Sequence, residues 1–177
     1  MKKVMLLTIL AALMMISSAA VAQTATGTLS VTATVNGTIN LVFNSNAAGV
    51  ALSSGAGTNA ATLAFGNVSA FGPLAAGVVR PAPTATTFTV SSAVDVLVSK
   101  TNSASANYTL KAQLGAADAV NNWAVGGVAV TNAAQSTLTA TGAYAANSNF
   151  PVAITVPFTT ASGTLISNTI NYTATAN

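Results

Sequence analysis

Between Gly27 and Asn44 the chain reads GTLSVTATVNGTINLVFN, and every second position is apolar or small: Leu29, Val31, Ala33, Val35, Gly37, Ile39, Leu41 and Phe43. Thr, Ser and Asn fill most of the positions between. A period of two belongs to an extended strand with one apolar face. The run far exceeds the usual five or six residues. It therefore either bends and changes sheet at Gly37, or sends its first half out of the domain to pair elsewhere. Asn36-Gly37 is also a strong hairpin dipeptide. A two-residue hairpin there would put Val31 and Val35 on the face opposite Ile39 and Leu41, so the unbroken odd-numbered set favours one extended path bent at Gly37.

The same parity argument organises the rest of the chain. Asn44 to Ala61 is rich in Gly, Ser, Asn and Ala and reads as a loop with a short strand near Val50. Thr62 to Val68 reads as a short strand, and Ala70 to Ala85, with Pro73, Pro81 and Pro83, as a connection. Phe88, Val90, Val94, Val96 and Val98 share even positions, interrupted only by Ser92. They predict one core strand that turns at Lys100 to Ala106 into a hairpin partner carrying Tyr108, Leu110, Ala112 and Leu114. Around Trp123 to Val130 the apolar parity changes at Gly126-Gly127, which predicts a bulge or tight turn. Gln135 to Ala140, Phe150 to Phe158 and Leu165 to Ala176 complete the set, with Tyr144 to Asn149 as a loop. No stretch keeps a helical period. About eight antiparallel strands separated by turn signals predict an all-β fold, a single β-sandwich. An outer-membrane barrel needs aromatic girdles, and aromatics are only 6% of this chain.

Composition adds a destination. Met1 to Ala22 has a basic start (Lys2, Lys3), an apolar run from Val4 to Ile16 and the small-residue ending Ala20-Val21-Ala22. That is a Sec-type signal peptide, with the mature domain expected over 23–177 and residues 23–36 as an extension ahead of it. The apolar run is too short to span a bilayer. No Cys follows it for lipid attachment, and no later stretch predicts a transmembrane segment. Beyond the signal the charged residues are Arg80, Lys100, Lys111, Asp95 and Asp118, a net charge of +1. Three scattered cations do not form a nucleic-acid patch. A surface carried by Thr, Ser, Asn and Ala suits a subunit packed in an assembly, or a protein that must resist a harsh exterior.

The candidate chemistry is thin. Beyond the signal the chain has no Cys, His or Glu. Those absences remove thiol nucleophiles, imidazole bases and the usual metal ligand sets, so no catalytic residue, cofactor or metal site is expected. Asp95 and Asp118 read as surface charges rather than a glycosidase pair or a calcium site. Ser99 and Lys100 are neighbours on a strand, point to opposite faces and do not make a Ser-Lys couple. The glycosylation triplets at Asn36, Asn67, Asn107 and Asn171 follow from an Asn- and Thr-rich composition. Trp123, the only Trp, offers with Tyr144 and Tyr172 a possible ring platform for stacking on a sugar, against the plainer role of core packing.

The alternating opening strand just after the signal (TGTLSVTATVNGTINLVF), the element Leu63-Ala-Phe-Gly-Asn-Val68 and the Thr-rich end (SNTINYTATAN) together resemble secreted fimbrial and spore-coat-U-type subunits. The resemblance covers the mature chain in outline. It implies an immunoglobulin-like sandwich that assembles by strand donation with other copies, with help from a periplasmic chaperone. It also implies Leu29, Val31, Ala33 and Val35 as the donor face and Ile39, Leu41 and Phe43 as part of the home domain. The expectation is thus a non-enzymatic structural subunit of a bacterial surface appendage or coat, in the periplasm, at the cell surface or outside the cell. The alternative is a monomeric secreted module that binds a glycan or polymer.

Overall fold

The computed structural model describes residues 26–177, so the signal over 1–22 and its cleavage point lie outside the described residues. The chain divides into two units, one ending at Thr34 and the other running from Val35 to Asn177. The second is all-β and sandwich-like, with no helix among the described residues. No helix there is long and apolar enough to cross a membrane.

Ten strands follow in chain order: β1 (Thr38–Ser45), β2 (Thr87–Ser92), β3 (Val94–Thr101), β4 (Tyr108–Leu114), β5 (Asn122–Val125), β6 (Val128–Val130), β7 (Ser136–Gly142), β8 (Asn147–Asn149), β9 (Val152–Pro157) and β10 (Ile170–Ala176). They form three antiparallel ladders, ordered β1-β3-β8, β10-β4-β7 and β2-β9-β5-β6. The even-numbered apolar positions are the interior. Val90, Val96, Val98 and Leu110 are fully buried, and the outward positions of the same strands are mostly half-exposed. In β5 the parity is opposite, with Trp123 and Val125 inward.

The architecture departs from the expected eight strands in specific places. The valine run is two strands. Ser92 pairs with Val152 of β9, while Val94 pairs with Ser45 of β1, so the chain changes sheets at Ala93 without losing its parity. The loop after β1 wedges against this point. A Cβ on Gly49 would overlap the Ala93 carbonyl, and the Val50 N–H donates to the buried Ser92 hydroxyl at 2.8 Å. Ser92, polar in an apolar row, is there because a loop amide has no other partner.

Because β3 and β4 lie in different ladders, the polar turn between them is a crossover, and the expected hairpin is absent. Thr62 to Val68 is not a strand; only an isolated bridge from Ser54 to Thr62 marks it, although Leu63, Phe65 and Val68 pack against the core. Gly126 and Gly127, both at positive φ, make the tight turn of the β5-β6 hairpin. Asn147 to Asn149, expected as loop, is a short strand on β3.

Candidate functional site

The opening strand run divides at Gly37. β1 begins at Thr38 and pairs along its whole length with β3. A Cβ on Gly37 would lie 2.7 Å from the carbonyl oxygen of Asn102 and 3.3 Å from Ser103 Cα, so only Gly lets the chain pass that turn closely. Residues 26–37 join no ladder. Leu29, Val31 and Val35 are 88%, 80% and 72% exposed, so the odd-numbered apolar face there stands in solvent. Ala33 is exposed as well.

Within the domain, two strands from different sheets approach one another without a ladder between them. On β1, the Phe43 N–H donates to the Thr58 carbonyl at 2.8 Å and the Phe43 carbonyl accepts from Gly57 N–H at 2.7 Å. Phe43 therefore turns its backbone groups away from β3. By alternation Ile39 and Leu41 do the same, and among the described residues no loop amide or carbonyl meets them. On β10, Gly115 N–H bonds to the Thr169 carbonyl and Asn177 N–H to the Asn107 carbonyl, so odd-numbered residues face β4. Ile170, Tyr172, Ala174 and Ala176 consequently turn their N–H and C=O groups to the open edge.

The side chains of Ile39, Leu41 and Phe43 on one strand, and of Ile170, Tyr172 and Ala174 on the other, are half-buried. Where the strands approach, the Phe43 and Tyr172 rings meet edge to face at 5.0 Å, and burial pushes the Tyr172 phenol pKa up. β10 carries no charge and no Pro, the devices that usually blunt an exposed edge.

Trp123 lies elsewhere. It is only 7% exposed and packs in the larger core cluster, and its indole N–H donates to Asp118 Oδ2 at 2.8 Å. A ring so covered presents no face to a sugar. Tyr144 packs against a different cluster, on Tyr108, with Lys100 Nζ 4.9 Å from its ring centre. Its hydroxyl donates to the Asn107 carbonyl at 3.1 Å, so the ring clips the turn before β4. Trp123 and Tyr144, two of the rings named as a stacking platform, pack against different clusters and are not brought together.

Lys100 Nζ donates to the Ser105 carbonyl, which ties it to that same turn. Asp95 accepts from Asn46 Nδ2 at 2.7 Å and holds the β1 loop. Among the described residues no three of His, Cys, Asp and Glu form a group that could hold a metal ion.

Asp118 was legible only as a loop carboxylate. It accepts from the N–H groups of Val120 and Asn121, from Asn121 Nδ2 and from Trp123, beside a recess of about 270 Å³. Partial burial raises its pKa, but these donors outweigh it and hold the carboxyl at about 2. A depressed pKa gives stability that is complete above the unfolded value near 3.9 and is lost as pH falls through about 2. Emission from the sole Trp is expected to shift with a midpoint near 2 in acid, and Asp118→Asn is expected to remove that transition. A midpoint near 4 would mean the donors do not hold the carboxylate.

No protein-family model, no curated protein and no solved structure matches this chain.

Proposed function

We propose that the chain is a non-enzymatic structural subunit, exported to the cell surface or beyond, which assembles by giving the segment before β1 to the open edge of another copy. The observation that carries this reading is the exposed alternating face of Leu29, Val31, Ala33 and Val35, which precedes β1 in the chain and joins no ladder among the described residues. Solvated alone, such a face is costly. Burying a Val or Leu side chain contributes about 1.5–3 kcal/mol, and an added strand also supplies main-chain hydrogen bonds. The β1-β10 seam is the complementary half: two uncharged edges with outward backbone groups above half-buried apolar side chains. The domain then acts as an incomplete immunoglobulin-like sandwich that the donated strand completes. A periplasmic chaperone fits the same logic, because an open edge needs cover before assembly.

Light scattering after size exclusion tests the reading on the protein starting at Gln23, beside a version lacking residues 23–35. The full chain is expected to form polymers, or to require a co-expressed chaperone, and the shortened one to remain a folded monomer. A full chain that stays monomeric alone, together with a shortened one that unfolds, would make the segment part of its own domain. The glycan-binding alternative loses its main support with Trp123 in the core.

A further inference from the structure

We propose that the donated segment lies antiparallel to β10 in one register, with Ala33 beside Tyr172, so that Leu29, Val31 and Val35 fall beside Ala176, Ala174 and Ile170. This rests on the strand-donation reading above and specifies its geometry.

Volume decides the register. Along β10 the side chains facing the seam are Ile170, Tyr172, Ala174 and Ala176. The widest point is Tyr172, already in contact with Phe43 across the seam. The donor row is Leu29, Val31, Ala33 and Val35, with one small residue. Close packing matches small with large. In this register the only Ala of the donor meets the Tyr172-Phe43 pair, while Leu29 and Val31 cover the two alanines. Shifting the strand by two residues either way presses Val31 or Val35 against Tyr172 and pushes one end of the donor row off β10. A parallel strand with Ala33 at Tyr172 leaves Leu29 beyond the start of β10 at Ile170. Of these arrangements, only the proposed one seats all four donor residues on four acceptor positions.

The outer face agrees. The same register sets Ser30, Thr32 and Thr34 opposite Thr175, Thr173 and Asn171, pairs of hydroxyl and amide side chains that suit neighbouring strands. The protein already uses such pairs. Thr89 and Thr155 are opposite one another in the β2-β9 ladder with hydroxyls 2.7 Å apart, as are Thr38 and Thr101 in β1-β3.

The absence of native cysteine makes the register directly readable. Odd-numbered β10 residues turn their backbone to β4, so Thr32 and Thr173 would form a non-hydrogen-bonded pair. Their Cα atoms would be about 4.5 Å apart, within disulfide reach. Three doubly substituted full-length proteins are compared under assembling conditions with oxidised glutathione as the oxidant: Thr32→Cys with Thr173→Cys, with Asn171→Cys, and with Thr175→Cys. The first is expected to give a ladder of covalent multimers on a non-reducing gel, at least tenfold stronger than the others. Ala33→Phe, which overfills the position at Tyr172, is expected to slow assembly at least tenfold while leaving the monomer folded.

Polymers that crosslink through Asn171 or Thr175 instead would overturn the register and leave strand donation standing. A crosslink confined to single chains would place the segment in its own domain and overturn both. Absence of any polymer, with or without a chaperone, would overturn strand donation itself.

Discussion

Replacing Gly142 by Ala is expected to destabilise the folded domain by about 3 kcal/mol, the upper end of what overpacking a well-filled core costs. Gly142 ends β7 directly opposite Tyr108 at the start of β4, and the Tyr108 ring lies over the glycine. A Cβ at residue 142 would overlap Cζ and both Cε atoms of that ring. The ring has nowhere to go: Tyr108 is fully buried, it packs with Val96, Val98 and Leu110, and Tyr144 covers it at 5.3 Å between ring centres. Urea denaturation followed by Trp emission measures the loss. Tyr108→Leu alone leaves a void, but combined with Gly142→Ala it removes the clash. The two changes are therefore expected to be strongly non-additive, with the double variant more stable than the sum of the singles predicts. A loss below about 0.5 kcal/mol for Gly142→Ala would show that the ring can move aside.

That pairing illustrates what the sequence conveys and what it withholds. Parity along each strand names the inward side chains, and the buried residues of β2, β3, β4 and β9 are the even-numbered ones it selects. Parity says nothing about which strand lies beside which. One continuous even-numbered row from Phe88 to Val98 is compatible with a single strand or with two strands in different sheets. The difference lies in a loop, Gly49-Val50, which docks at Ala93 from more than forty residues away. Similarly, the polar turn after Lys100 looks like a hairpin because local pattern cannot distinguish a turn from a crossover between layers.

Trp123 and Asp118 are five residues apart, but their bond depends on the loop folding back on itself, so neither composition nor spacing signalled it. The strand run before β1 was more legible. Its division at Gly37 corresponds to a real close approach to the Asn102-Ser103 turn. The open edge on β10, by contrast, follows only from the observed ladder with β4, since a strand with two neighbours has the same alternating sequence as one with a single neighbour.

On the proposed strand donation, a charge placed on that edge is expected to abolish assembly without unfolding the domain. Ala174→Arg puts a guanidinium on the seam side of β10, where the side chain is half-buried and its backbone groups are turned to the open edge. The free subunit tolerates it, because a long cationic side chain can lay its stem along the apolar row and keep its head in water. A strand laid over the seam would trap that head in a closed apolar layer with no carboxylate near, since β1 and β10 carry none. The expected effect is a rise of at least 100-fold in the critical concentration for assembly, about 2.7 kcal/mol by the relation between affinity and free energy.

Thr175→Arg is the matched control. It adds the same charge one residue away on the exposed face of the same strand, where a donated strand leaves it in solvent. Sedimentation of polymers measures assembly, and thermal denaturation of the monomer reports the fold. Equal assembly by both variants would exclude the seam face of β10 as the acceptor. Loss in both alike would point to net charge rather than to the seam. Loss in Ala174→Arg alone, with both monomers folded, is the pattern that only an acceptor edge produces, because the two proteins have the same charge and differ only in which face of one strand carries it.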